Sequence, residues 1–79
     1  MATGRVKFYD IFKGFGFIEP DDGSKDVYLH SREVKEAGLD FLGQWQKVRY
    51  DLKESRGKLF ANNIRLLTPW KFYSLPRRL

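Results

Sequence analysis

Lys13-Gly14-Phe15-Gly16-Phe17-Ile18-Glu19 is the stretch on which the reading of this 79-residue chain turns. Successive side chains of a strand point to opposite faces. Phe15 and Phe17 therefore share one face, and Gly16 and Ile18 the other. With Ile18 directed into a core, the two phenylalanines face water. Pro20-Asp21-Asp22-Gly23-Ser24 then reads as a turn, Gly23 supplying a positive φ. Asp26-Val27-Tyr28-Leu29-His30 follows as a strand with Val27 and Leu29 inward and Tyr28 and His30 outward. Two neighbouring strands thus lay four flat rings side by side. Phe8 extends the platform, and Lys7, Lys13 and Lys25 lie near its edge.

The remaining segments complete a small β fold. Residues 5–12 read as a first strand, bulged or two-faced because Phe8 and Tyr9 are adjacent. After the third strand, Ser31 is placed to cap a short helical turn containing Val34 and Ala37, which Gly38 ends. Asp40–Gln44 reads as loop. Gln46–Lys53 alternates cleanly and predicts a fourth strand with Val48, Tyr50 and Leu52 on one face. Glu54-Ser55-Arg56-Gly57 makes a hairpin connection, and a fifth strand runs from Lys58 to Leu67 with Ile64 and Leu66 inward. Five short, turn-separated strands predict an all-β, five-stranded antiparallel barrel of the oligonucleotide-binding (OB) type. A five-stranded open sandwich would give much the same pattern.

Exposed rings forgo burial elsewhere, and base stacking gives such a surface a purpose. A base–aromatic stack contributes about 1–3 kcal/mol with little dependence on base identity, and flanking lysines neutralise phosphate. The bases must be unpaired, since those of a duplex already stack on one another. The same glycine-flanked phenylalanines would also suit a core or a dimer interface.

Composition narrows the classes further. There is no cysteine, hence no disulfide and no thiolate metal site, and the lone His30 cannot build a histidine-rich one. No metal and no cofactor are expected. One histidine, no cysteine, no paired-carboxylate pocket and no phosphate-binding Gly-rich helix signature leave little machinery for an enzyme. No apolar run approaches a membrane span and no apolar signal region precedes the first strand, so the cytoplasm is the expected compartment. Net charge is +5, but residues 1–67 hold twelve Lys and Arg against ten Asp and Glu, so they carry only +2. Aromatic residues, 16% of the chain, are the stronger signal because of where they fall.

The chain resembles the cold-shock domains of bacterial cold-shock proteins and eukaryotic Y-box proteins. Gly4-Arg5-Val6-Lys7-Phe8-Tyr9, the Lys13–Ile18 ribonucleoprotein-type signature, Asp21–His30, Gln46-Lys47-Val48 and Ala61-Asn62-Asn63-Ile64 carry the likeness, which runs from Gly4 to Leu67 without a gap. It implies a barrel that binds single-stranded RNA or DNA, with roles in melting RNA structure and in control of transcription or translation. Carried over residue by residue, it assigns binding to Lys7, Phe8, Lys13, Phe15, Phe17, Asp22, Tyr28 and His30, to which Lys25 is added from its place beside the rings. The chain departs from the pattern at Phe8, where the family has Trp; at Asp10, where Asn is common; and at Ser31, where bacterial members have Phe. It departs again at Trp45, where a glycine makes the turn, and at Asn62, where the family has Gly and a positive φ is tolerated by Asn. The alternative function is a barrel kept for protein interaction, its nucleic-acid binding weakened.

Residues 68–79 extend beyond the resemblance as an aromatic and basic tail. Trp70, Phe72 and Tyr73 are expected to pack back onto the barrel, where Trp45 offers an apolar surface, or across onto a second subunit as a homodimer. Alternatively they extend the stacking platform, and Trp70, Lys71, Phe72, Tyr73, Arg77 and Arg78 are further candidates for ligand contact.

Overall fold

The computed structural model describes residues 1–67. The tail residues Trp70, Lys71, Phe72, Tyr73, Arg77 and Arg78 lie outside them. Five strands and one short helix follow in the order β1 (Ala2–Asp10), β2 (Phe15–Pro20), β3 (Val27–His30), α1 (Ser31–Glu36), β4 (Lys47–Ser55) and β5 (Lys58–Leu66). The strands close into a barrel with neighbours β1-β2-β3-β5-β4. Every pairing is antiparallel except β3 with β5, which meet in parallel at Tyr28 and Phe60. Parity requires this: a ring of five strands cannot alternate direction all the way round. The OB-type barrel expected from sequence is therefore present, with one parallel seam.

The core consists of Val6, Ile18, Val27, Leu29, Val34, Leu42, Val48, Tyr50, Ala61 and Ile64. Each of the valine, leucine and isoleucine side chains taken from water contributes about 1.5–3 kcal/mol. Ile18, Val27 and Leu29 face inward as their alternation requires. Val34 of α1 closes one end of the barrel.

β1 is both bulged and two-faced. Its register against β2 shifts between Val6 and Phe8, after which Phe8 is exposed while Tyr9 packs against the core. It begins at Ala2 because Ala2–Arg5 pairs with Lys47–Tyr50 of β4. It ends at Asp10, not Phe12: the Asp10 carboxylate accepts from the amides of Phe12 (2.9 Å) and Lys13 (3.0 Å), turning the chain early.

Two other expectations are corrected and a third is refined. His30, not Ser31, caps α1, its Nδ1 accepting from the Arg32 amide at 3.0 Å. Leu52 shares the face of Tyr50 yet is exposed, because the hairpin arm from Leu52 onward runs clear of the barrel. The β4–β5 register shift places its extra residue in β5 and leaves the β4 alternation intact. The positive φ in β5 falls at Asn63 (50°), not Asn62, and it spaces the buried Ala61 and Ile64 three residues apart. The hairpin itself closes through Arg56 (φ 53°) and Gly57 (φ 80°), the two left-handed residues of a type I′ turn.

Candidate nucleic-acid interface

Three strands bring the rings together through their pairing. Phe8 sits opposite Phe17 across β1 and β2, and Phe17 opposite Tyr28 and Phe15 opposite His30 across β2 and β3. The resulting centroid distances are 5.7 Å for Phe8–Phe17, 5.7 Å for Phe17–Tyr28 and 5.9 Å for both Phe8–Phe15 and Phe15–Tyr28. The planes of Phe15 and Tyr28 are within 13° of parallel, while Phe17 meets Phe15 and Tyr28 edge-on. Edge-to-face packing holds each ring by its neighbours, so the platform exists before any ligand arrives.

Gly16 is what lets this surface form. A Cβ at this position would lie 2.8 Å from the Cα of Tyr9 and closer still to the Phe8 carbonyl oxygen. The bulged β1 backbone presses on β2 there, and only hydrogen fits.

The structure adds a ring that the sequence reading missed. Phe60 of β5 meets Tyr28 edge-on at 5.4 Å, across the parallel seam. Its parity opposite Ala61 was visible in the sequence, but which strand lies beside β3 was not. His30 continues the row at 6.3 Å from Tyr28. Because its Nδ1 accepts the α1 cap, the neutral imidazole carries its proton on Nε2. Two grooves flank the row. One of about 480 Å³ runs between Phe17, Lys25, Asp26 and Tyr28 and the hairpin residues Glu54, Gly57 and Lys58. A smaller one of about 230 Å³ joins His30, Phe60, Lys53 and Asn62, whose Oδ1 is buried without a hydrogen-bond partner. A larger concavity of about 500 Å³ lies apart, between α1 and β5, and contains no ring.

The charged candidates are placed less uniformly. Lys25 lines the Phe17–Tyr28 groove. Lys13 is exposed on the β1–β2 turn. Lys7 is engaged by Asp26 at 2.9 Å, a hydrogen bond and charge that hold its ammonium pKa above the usual value. Asp22 accepts from the amide (2.8 Å) and the hydroxyl of Ser24, which lowers its carboxyl pKa. It lines the barrel end with Met1, Ala2 and Tyr50, away from the ring row. Ser31 has a part in the frame: its amide donates to the Gly14 carbonyl at 2.9 Å. Burial, partly offset by the neighbouring Ser31 side chain, raises the Tyr9 pKa. Among the described residues no cluster of His, Cys, Asp and Glu is arranged to hold a metal, and no helix is long and apolar enough to cross a membrane.

A closed OB-type barrel with a preformed row of rings on β1, β2, β3 and β5 defines a class of domain suited to stacking unpaired bases. Residues 2–67 match the family model described as the 'Cold-shock' DNA-binding domain. The probable cold shock protein y4cH of Sinorhizobium fredii is 52% identical over 66 residues, covering 81% of this chain and 96% of that protein. The cold shock-like protein CspA of Rickettsia typhi is 46% identical over 69 residues, covering 84% and 99%. The cold shock protein CspA of Rhizobium meliloti is 46% identical over 67 residues, covering 82% and 97%. The chain belongs to the cold-shock domain family, whose members are non-catalytic nucleic-acid-binding proteins.

Proposed function

We propose that this protein binds single-stranded RNA or DNA in the cytoplasm and acts as an RNA chaperone or a regulator of transcription or translation. The observation that carries this reading is the preformed row Phe8–Phe17–Phe15–Tyr28–Phe60, held at 5.4–6.2 Å spacings on the outside of a barrel whose core is complete without it. Phe8, Phe15, Phe17, Tyr28 and His30 take bases, while Lys7, Lys13 and Lys25 face phosphate. Asp22 acts by shaping the β2–β3 turn that carries Lys25. Remodelling of RNA needs no chemical fuel: a protein that binds only the open strand shifts the folding equilibrium of the RNA by mass action.

Titration of a short fluorescent oligonucleotide tests the reading. Wild-type protein should bind single strands with an affinity that falls as salt rises. The double variant Phe15→Ala/Phe17→Ala should lose about 2–6 kcal/mol of binding, from ~1–3 per stack, while its thermal unfolding changes little. Absence of binding by wild-type protein at low salt would instead favour the protein-interaction barrel.

A further inference from the structure

Trp45 is not explained by the ring platform. Its φ of 67° is left-handed, a conformation that bulky side chains rarely adopt. The backbone imposes it. The Trp45 amide donates to the Val6 carbonyl at 2.6 Å, Val6 returns a bond to the Gln46 carbonyl at 2.9 Å, and the Gln46 amide reaches Gly43 at 3.2 Å. Glycine would meet the same requirement with less strain. A tryptophan here costs backbone energy and leaves the residue 51% exposed. Phe41, in the same connection between α1 and β4, is 60% exposed, whereas Leu42 beside it is in the core.

The chain itself supplies a partner within reach. The Leu67 amide donates to the Lys47 carbonyl at 3.1 Å, so residues beyond 67 set out two positions from Trp45. The twelve that follow hold Trp70, Phe72, Tyr73, Leu75 and Leu79. At about 3.3–3.6 Å per residue, Trp70 can lie no more than ~11 Å from Leu67. Trp45 stands within about 7 Å of Lys47 by the same measure. Connectivity thus puts the Trp45 surface within reach of the tail's rings at high effective concentration.

We propose that Trp45 and Phe41 form the docking site for this chain's own Trp70-Lys71-Phe72-Tyr73 segment. The left-handed tryptophan is then retained because the indole is covered, and its strain is offset by burial against the tail. This assignment does not depend on nucleic-acid binding.

The sequence contains two tryptophans, which makes the test direct. In full-length Trp70→Phe, Trp45 is the only indole, and its emission should be blue-shifted and shielded from acrylamide. In full-length Trp70→Ser/Phe72→Ser/Tyr73→Ser the emission should move to the red and quenching should rise. Equal spectra and equal quenching in the two would overturn the proposal. Thermal unfolding supplies a second arm. Trp45→Gly should lower Tm by about 4–8 °C with the natural tail, yet leave it unchanged or raised when the three tail rings are serine. An increase in Tm in both backgrounds would mean that the indole contributes nothing but strain. Sedimentation across a range of protein concentrations identifies the occupant. A monomer throughout supports docking within the chain. A dimer whose mass and indole shielding both depend on the tail rings would assign the surface to a second copy and overturn it.

Discussion

The two halves of β1 sit in regions built on different physical principles. Ala2–Arg5 pairs with β4 in a seam fastened by charge: Thr3 Oγ1 donates to Asp21 at 2.7 Å, and Lys47 reaches the same carboxylate oxygen at 2.6 Å. Phe8–Asp10 pairs with β2 and carries the start of an uncharged ring surface. The bulge between Val6 and Phe8 separates them. The first region secures closure of the barrel; the second displays groups that the closed barrel does not need for its core. Because the bulge turns Phe8 outward while Tyr9 stays against the core, one strand serves both ends. Substitutions can therefore affect stability, binding or both, according to where they fall.

The largest effect is expected where the regions join. Gly16→Ala forces a methyl against the Phe8 and Tyr9 backbone, which cannot yield as the far end of a side chain would. Overpacking of this kind costs typically ~1–3 kcal/mol, and with backbone on the receiving side about 3 kcal/mol is expected. Denaturant unfolding measures the loss, and affinity should fall with it because β1 and β2 carry adjacent rings. Unchanged stability would show that the β1 bulge is free to move away from β2.

Phe60→Ala sharpens the comparison from the other side. Phe60 touches only Tyr28 among the platform rings. It should contribute one stack at the low end, a loss of about 1 kcal/mol in oligonucleotide affinity, with unfolding little altered. The defect should be confined to oligonucleotides long enough to pass Tyr28. An equal loss for the shortest ligands would place Phe60 at the centre of the row.

How far the sequence disclosed these regions follows from the range of the interactions involved. Phe15, Phe17, Tyr28 and His30 were legible because strand parity is local and a single inward residue, Ile18, sets the phase. The inward faces of β2 and β3 were legible for the same reason. Phe60 was not, because its role depends on a parallel seam between strands separated by α1 and β4. Leu52 shares one face with Val48 and Tyr50, and its exposure follows from where the barrel ends along β4, which periodicity does not show. His30 as a cap was hidden because histidine is an uncommon choice at that position beside an adjacent serine. The engagement of Lys7 by Asp26 joins residues nineteen apart, and nothing in the spacing of charges announces it.

The smallest effect, and the one that isolates the charged seam, concerns acid. The Asp21 carboxyl is held below the ordinary carboxylate range, chiefly by the hydrogen bond from Lys47 and then by that from Thr3. A depressed pKa means that the unfolded chain takes up the proton first as pH falls. The stabilisation is therefore complete above the unfolded value, about 3.9, and is lost as pH drops through the lower folded value. Asp21 is exposed at the surface, so the contribution is small and screened by salt. Asp21→Asn should lower Tm slightly at pH 6–7 in low salt, and the difference from wild type should vanish towards pH 2–3. It should also shrink as salt is added at neutral pH. Oligonucleotide affinity at pH 6–7 should be unchanged, since Asp21 lies at the β1–β4 closure and the rings carry no charge. A matching loss of affinity would show that the seam and the platform are energetically coupled through β1, and the division between its two halves would have to be abandoned.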